Sequence, residues 1–92
     1  MKTALITGAT SGIGKATAEL LAKNNWRLII CGRNVEVLSQ IKADLSVTTE
    51  IFTLNFDIRE FSQVEKAINS IPENWKKIDV LINNAGNAHG MD

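Results

Sequence analysis

Four short apolar runs, separated by three stretches of helical periodicity, constrain this chain more than any other feature of its sequence. The runs occupy residues 4–7, 27–31, 50–55 and 79–83. Each is mostly continuous in apolar character rather than alternating, as in parallel strands with both faces covered. Ile13, Ala16, Leu20 and Leu21 fall on one face of a first helix, and Val35, Leu38, Ile41 and Leu45 on one face of a second. Phe61, Val64, Ile68 and Ile71 do the same for a third. Asn34 is placed to cap the second helix, and Pro72 closes the third. Regular alternation of this kind predicts an open parallel sheet with helices packed on its faces.

Crossovers between parallel strands are right-handed almost without exception. In a Rossmann-type, doubly wound sheet of strand order 3-2-1-4, the first two helices then cover one face and the third crosses to the other. The expected fold class is α/β, three layers deep (α/β/α) and incomplete. The fourth strand, carrying Val80, Leu81 and Ile82, is left as an unpaired edge with part of one face bare. Residues 1–92 therefore read as the N-terminal part of a larger α/β protein, a partial domain.

Composition narrows the partners. The 92 residues are 45% hydrophobic with one proline, which suits a packed core, and the formal net charge is zero. With no basic cluster, nucleic acid is not an expected partner. Ala4, Leu5 and Ile6 form an apolar run too short for a signal peptide or a membrane span, so no membrane partner is expected either. Cys31 is the single cysteine, which excludes an internal disulfide and a cysteine-cluster metal site. The expected compartment is the cytoplasm.

The turn between the first strand and first helix reads Thr7-Gly8-Ala9-Thr10-Ser11-Gly12-Ile13-Gly14. A glycine-rich turn there suits a phosphate, because the first backbone N–H groups of a helix lack intrahelical partners and carry the positive end of the helix dipole. The spacing is G-x-x-x-G-x-G. A triphosphate-binding loop needs G-x-x-x-x-G-K-[ST], whereas here Ala9 stands in place of its first glycine and Ala16 follows Gly14-Lys15. A dinucleotide fits the pattern better.

Specificity for one dinucleotide is set at the end of the second strand. An NAD-binding protein usually carries an acidic residue there, for the ribose 2′-hydroxyl. This chain has Cys31-Gly32-Arg33-Asn34, where Arg33 offers a permanent, planar charge to a 2′-phosphate. NADP is therefore expected over NAD. Asp57 after the third strand and Asn83-Asn84-Ala85-Gly86 after the fourth also lie at carboxyl strand ends, where open α/β sheets bind ligands. Asp57 is placed either to accept a hydrogen bond from an adenine amino group or to cap its own turn. The asparagine amides are placed to cross-link neighbouring strand ends. Cys31 reads as a small core residue, Trp26 and Trp75 as covers for core edges, and His89 as a loop histidine.

The Thr-Gly-x-x-x-Gly-x-Gly run and the Asn-Asn-Ala-Gly tetrad together resemble the N-terminal portion of a short-chain dehydrogenase/reductase, over essentially the whole chain. The resemblance implies that Gly8, Thr10, Ser11, Gly12, Ile13 and Gly14 border the pyrophosphate, and that Arg33 and Asn34 border the adenosine phosphate. Asp57 and Ile58 would line the adenine, and Asn84, Ala85 and Gly86 the ribose near the nicotinamide. Residues 70–75 and the Gly90-Met91 pair resemble a narrower branch of NADP-dependent dehydrogenases of serine, L-allo-threonine and related 3-hydroxy acids. For the parent protein, the resemblance implies NADP-dependent interconversion of an alcohol and a carbonyl, on a small-molecule substrate, in a homo-oligomer. Family chemistry depends on a downstream serine, an asparagine and a Tyr-x-x-x-Lys pair, and this chain has no tyrosine. No catalytic residue is assigned, and the 92 residues alone are expected to be inactive. A catalytically silent nucleotide-binding module and a truncated fragment are the competing readings.

Overall fold

The computed structural model describes residues 1–84, so Ala85, Gly86, His89, Gly90 and Met91 lie outside the described residues. The chain runs β1 (Thr3–Thr7), α1 (Gly12–Lys23), β2 (Arg27–Gly32), α2 (Val35–Leu45), β3 (Ile51–Asn55), α3 (Phe61–Asn69), a 3-10 turn (Glu73–Trp75) and β4 (Val80–Asn83). The four strands form one parallel sheet, as the alternation predicts, in the order β3-β2-β1-β4 expected of a Rossmann-type fold. The expected three-layer α/β/α architecture is present.

Because side chains alternate across a strand, one set of β residues faces each helical layer. Ala4, Ile6, Leu28 and Ile30 pack with Ala18 and Ala22 of α1 and with Leu38 and Ile41 of α2. On the opposite face, Leu5, Ile29, Cys31 and Leu54 pack with Ile71 and Trp75, and Val64 and Ala67 of α3 lie against them. Fully burying each large aliphatic side chain stabilises the fold by roughly 1.5–3 kcal/mol. β1 is buried along its whole length between β2 and β4. Among the described residues β4 is one of the sheet's two edges, and its Leu81 is 65% exposed, the bare patch that the sequence predicts.

The helix faces require corrections. α1 buries Gly14, Ala18 and Ala22, and the expected Leu21 packs half-buried against the core, whereas the expected Ile13 and Leu20 are 72% and 61% exposed and Ala16 is exposed as well. The cause is close approach. A Cβ built on Gly14 would stand 2.0 Å from the Gly8 carbonyl oxygen, so the N-terminal end of α1 meets the loop through a side with no side chain. In α2, Leu38 and Ile41 are buried and Leu45 half-buried as expected, but Val35 is exposed. In α3 no residue is fully buried; Phe61 and Ile68 are exposed, and Ile71 is buried just beyond the helix. Asn34 caps α2 as predicted, its Oδ1 accepting the Val37 N–H at 3.1 Å. No helix among the described residues is long and apolar enough to cross a membrane.

Candidate functional site

The carboxyl ends of β1, β2 and β3 open into a single cleft of about 710 Å³. That volume falls in the range of small-molecule sites, roughly 300–1,000 Å³. Its first wall is the β1–α1 turn. Gly8 turns the chain with φ of 63°, a conformation that glycine takes without a Cβ penalty. Ser11 then fixes the start of α1. Its hydroxyl donates to the Gly8 carbonyl at 2.8 Å and accepts the Gly14 N–H at 3.2 Å. The first-turn N–H groups of Gly12 and Ile13 have no intrahelical acceptor, and a Cβ on Gly12 would meet nothing within 4 Å. That end of the helix is an open, partly positive surface suited to an anion.

The second wall comes from the ends of β2 and β3, and backbone hydrogen bonds tie it to the first. Ala9 N–H donates to Cys31 O at 3.0 Å, and Phe56 N–H donates to Gly32 O at 3.1 Å. The Asn55 amide bridges the Gly32 and Arg33 carbonyls at 3.0 Å each. A Cβ on Gly32 would lie 2.9 Å from Thr10 Cγ2, so a side chain there would press on the first wall. Burial pushes the Cys31 thiol up to about 12, which keeps it protonated and unreactive, a core residue as the sequence implies.

Charge is concentrated at the mouth. The Asp57 carboxylate accepts three hydrogen bonds from Arg59: its N–H at 3.0 Å and Nε at 3.1 Å to Oδ1, and Nη2 at 2.9 Å to Oδ2. Arg33 Nη1 stands 3.8 Å from Oδ2. These hydrogen bonds from Arg59, side chain first and backbone second, hold Asp57 down at about 2. Asp57 thus caps its own turn, one of its two expected roles, while still lining the cleft.

Of the expected site residues, Gly8, Thr10, Ser11, Arg33, Asn34, Asp57 and Ile58 line this one cleft. Gly12, Ile13 and Gly14 form the first turn of α1 beside it without lining it. Asn84 follows β4 and also lies off the cleft lining; its Nδ2 is buried with no hydrogen-bond partner among the described residues. Neighbouring Asn83 cross-links strand ends as anticipated, its Oδ1 accepting from Thr7 Oγ1 at 2.8 Å. The sequence pattern did not single out Thr7, Gly32, Val35, Glu36, Phe56 and Arg59 as lining residues, nor Cys31 as one that lines the cleft from the core. Gly32 and Glu36 were within reach of inference, being close neighbours of Arg33. Arg59 was not, because its position depends on the turn that Asp57 makes.

A parallel α/β/α sheet with a ligand-sized cleft at its carboxyl strand ends is the architecture of a Rossmann-type protein. Residues 2–92 match the model of the short chain dehydrogenase family, and the chain belongs to that family. It is 43% identical over 88 residues to a serine 3-dehydrogenase of Agrobacterium fabrum, covering 96% of this chain and 34% of that protein. It is 38% identical over 88 residues to the NADP-dependent 3-hydroxy acid dehydrogenase YdfG of Salmonella typhi, covering 96% of this chain and 35% of the relative. Among solved structures, an alcohol dehydrogenase from the archaeon Thermococcus sibiricus, complexed with 5-hydroxy-NADP, superimposes with a TM-score of 0.83 at 34% identity. That alignment covers 88% of this chain and 35% of the other. The chain thus spans about a third of the length of these relatives. The serine and 3-hydroxy acid dehydrogenases belong to the narrower branch that residues 70–75 resemble.

Proposed function

We propose that this chain is the cofactor-binding part of an NADP-dependent oxidoreductase that interconverts an alcohol and a carbonyl. The observation that carries the reading is Arg33. It stands just past the end of β2 on the cleft, 65% exposed, where an acidic residue would mark an NAD site. The chain's own geometry fits the cofactor: an open first turn of α1, a glycine at positive φ beside it, and an Asn84 Nδ2 without a hydrogen-bond partner among the described residues. Relatives named for NADP dependence support the same choice.

In this reading Gly8, Thr10, Ser11, Gly12, Ile13 and Gly14 receive the pyrophosphate, with the N–H groups of α1 as donors. Arg33, with Asn34 beside it, pairs with the 2′-phosphate, for which a guanidinium has the right fork of donors. Asp57 and Ile58 border the adenine, and Asn84 offers its Nδ2–H to the ribose near the nicotinamide, followed by Ala85 and Gly86. The bound cofactor supplies the hydride chemistry, and these residues bind and orient it. No residue among the 92 is assigned to move the substrate proton, and the family's tyrosine is not among them. Turnover belongs to the parent protein, acting on a small alcohol or carbonyl compound as a homo-oligomer; serine or a 3-hydroxy acid is the substrate class that the relatives favour.

Titration of the full chain with NADPH and NADH, followed by nicotinamide fluorescence, tests the reading. NADPH is expected to bind at least about tenfold tighter, the worth of one charge-assisted hydrogen bond. Equal affinities, or a preference for NADH, would remove Arg33 from its role.

A further inference from the structure

Two guanidiniums and two carboxylates line the mouth of the cleft among the described residues: Arg33, Arg59, Asp57 and Glu36. Asp57 is the one in ionic contact with both arginines, and it treats them unequally. Three hydrogen bonds of 2.9–3.1 Å join it to Arg59, whereas its approach to Arg33 is an ion pair at 3.8 Å, beyond hydrogen-bond length. Arg33 lines the cleft with its side chain 65% exposed, and its guanidinium makes no hydrogen bond among the described residues. Yet a swing of about 1 Å by this exposed side chain would bring it to full charge-assisted contact with the same carboxylate. What stands against that collapse is the prior claim of Arg59 on both oxygens of Asp57.

We propose that Arg59 is a positioning residue for NADP selection: by clamping the Asp57 carboxylate, it prevents Asp57 from capturing Arg33 and leaves the Arg33 guanidinium for the 2′-phosphate. The inference rests on the NADP reading above and adds to it a residue outside the glycine turn and β2. Electrostatics run the same way. With Arg59 present, the trio carries one net positive charge towards an incoming phosphate dianion. Without it, Arg33 and Asp57 neutralise each other, and an ionised carboxylate faces the phosphate. Asp57 would in that state exclude the very group that Arg33 recruits. Because 5′-linked ADP-ribose and the nicotinamide are common to both cofactors, loss of the clamp weakens NADPH selectively.

The experiment is a set of fluorescence titrations of the full chain with NADPH and NADH, for the wild type, Arg59→Ala, and the Asp57→Asn/Arg59→Ala double variant. Adenosine 2′,5′-bisphosphate against 5′-AMP, by calorimetry, isolates the phosphate contribution. Arg59 is exposed, and far-UV circular dichroism confirms that each variant is folded. Arg59→Ala is expected to weaken NADPH about tenfold and NADH less than about twofold. The double variant is expected to recover most of the NADPH/NADH ratio, because no carboxylate remains to capture Arg33. The ratio cancels any adenine contact that Asp57 itself makes. Equal losses for both cofactors would show Arg59 merely shaping the wall, and an unrecovered ratio in the double variant would show it touching the phosphate directly; either overturns the inference. A wild type indifferent to the 2′-phosphate overturns the NADP reading itself, whereas a selective wild type whose selectivity survives Arg59→Ala overturns this inference alone.

Discussion

β2 carries an arginine at each end, and the two have opposite fates. Arg27, at its amino end, is 16% exposed and its donors are spoken for: Nε to Thr3 Oγ1 at 3.2 Å, Nη1 to Glu50 at 3.4 Å, and Nη2 to the Asn74 carbonyl at 2.9 Å. Its guanidinium lies 4.1 Å from the centroid of the Trp75 ring. Arg33, past the carboxyl end, is 65% exposed and has one ionic neighbour among the described residues, at 3.8 Å. The same side chain is a fastening at one end and an available hand at the other. What separates them is whether the fold has already used the donors, a property of neighbours and not of residue type. Parallel sheets make this asymmetry easy to build, since all their carboxyl ends lie on one side, where the loops diverging to opposite faces leave a crevice for ligands.

The widest break in the comparison comes from the turn that holds the open end together. Gly14→Ala sets a Cβ against the Gly8 carbonyl oxygen, and backbone must move. A loss of about 3 kcal/mol of stability is expected, the upper end of overpacking, with NADPH and NADH binding falling together. Urea unfolding and both titrations read it. A wild-type midpoint would mean that α1 does not approach the loop so closely.

Exchanging the fates of the two arginines is the next largest test. Arg27→Ala removes a stacked and hydrogen-bonded guanidinium and is expected to cost about 2 kcal/mol of stability, while NADPH/NADH selectivity stays at the wild-type value. Arg33→Ala is expected to do the reverse, changing stability by less than about 0.5 kcal/mol and lowering NADPH affinity about tenfold. Paired denaturation and titration curves decide it. Selectivity that falls in Arg27→Ala would erase the distinction between the ends.

Ser11→Ala sharpens the comparison from the helix side. It removes the acceptor for Gly14 N–H and is expected to cost about 1 kcal/mol, the ordinary worth of an N-cap. Both cofactors should weaken alike, since the pyrophosphate is common to them. A cofactor-selective effect would place Ser11 nearer the 2′-phosphate than the cleft lining suggests.

These ends were not equally legible in the sequence. The strand–helix alternation, the glycine turn, the Asn34 cap and the position of Arg33 follow from local pattern, where period, spacing and residue type are enough, while strand order came from the Rossmann-type fold. The buried side of α1 does not. Gly14, Ala18 and Ala22 carry little hydropathy, while Ile13 and Leu20 carry much, so periodicity favours the wrong stripe. The closeness of the loop puts Gly14 inside, and Ala18 and Ala22 pack against the sheet. Arg59 was hidden for a related reason. An arginine two residues after an aspartate is unremarkable until the aspartate folds its turn back onto it. Arg27 was equally silent, because three of its partners come from distant parts of the chain: Thr3, Glu50 and Asn74.

The smallest effect concerns acid, and it probes the open end through the carboxylate that serves it. The Arg59 hydrogen bonds hold Asp57 at about 2 against an ordinary 3.8, so its folded form favours the ionised carboxylate. A depressed folded value contributes stability that is present above the unfolded pKa and is lost as pH falls through the folded one. The window therefore runs from about 3.8 down to about 2. Asp57→Asn removes the titrating group, so the variant's urea midpoint should fall less steeply than the wild type's across that window. Exposure at the cleft keeps the difference small, since solvent screens both arginines. Parallel slopes for the two proteins would mean that the clamp is loose in solution. A loose clamp would return Arg33 to the reach of Asp57 and blunt the very contrast with Arg27 that the two ends of β2 present.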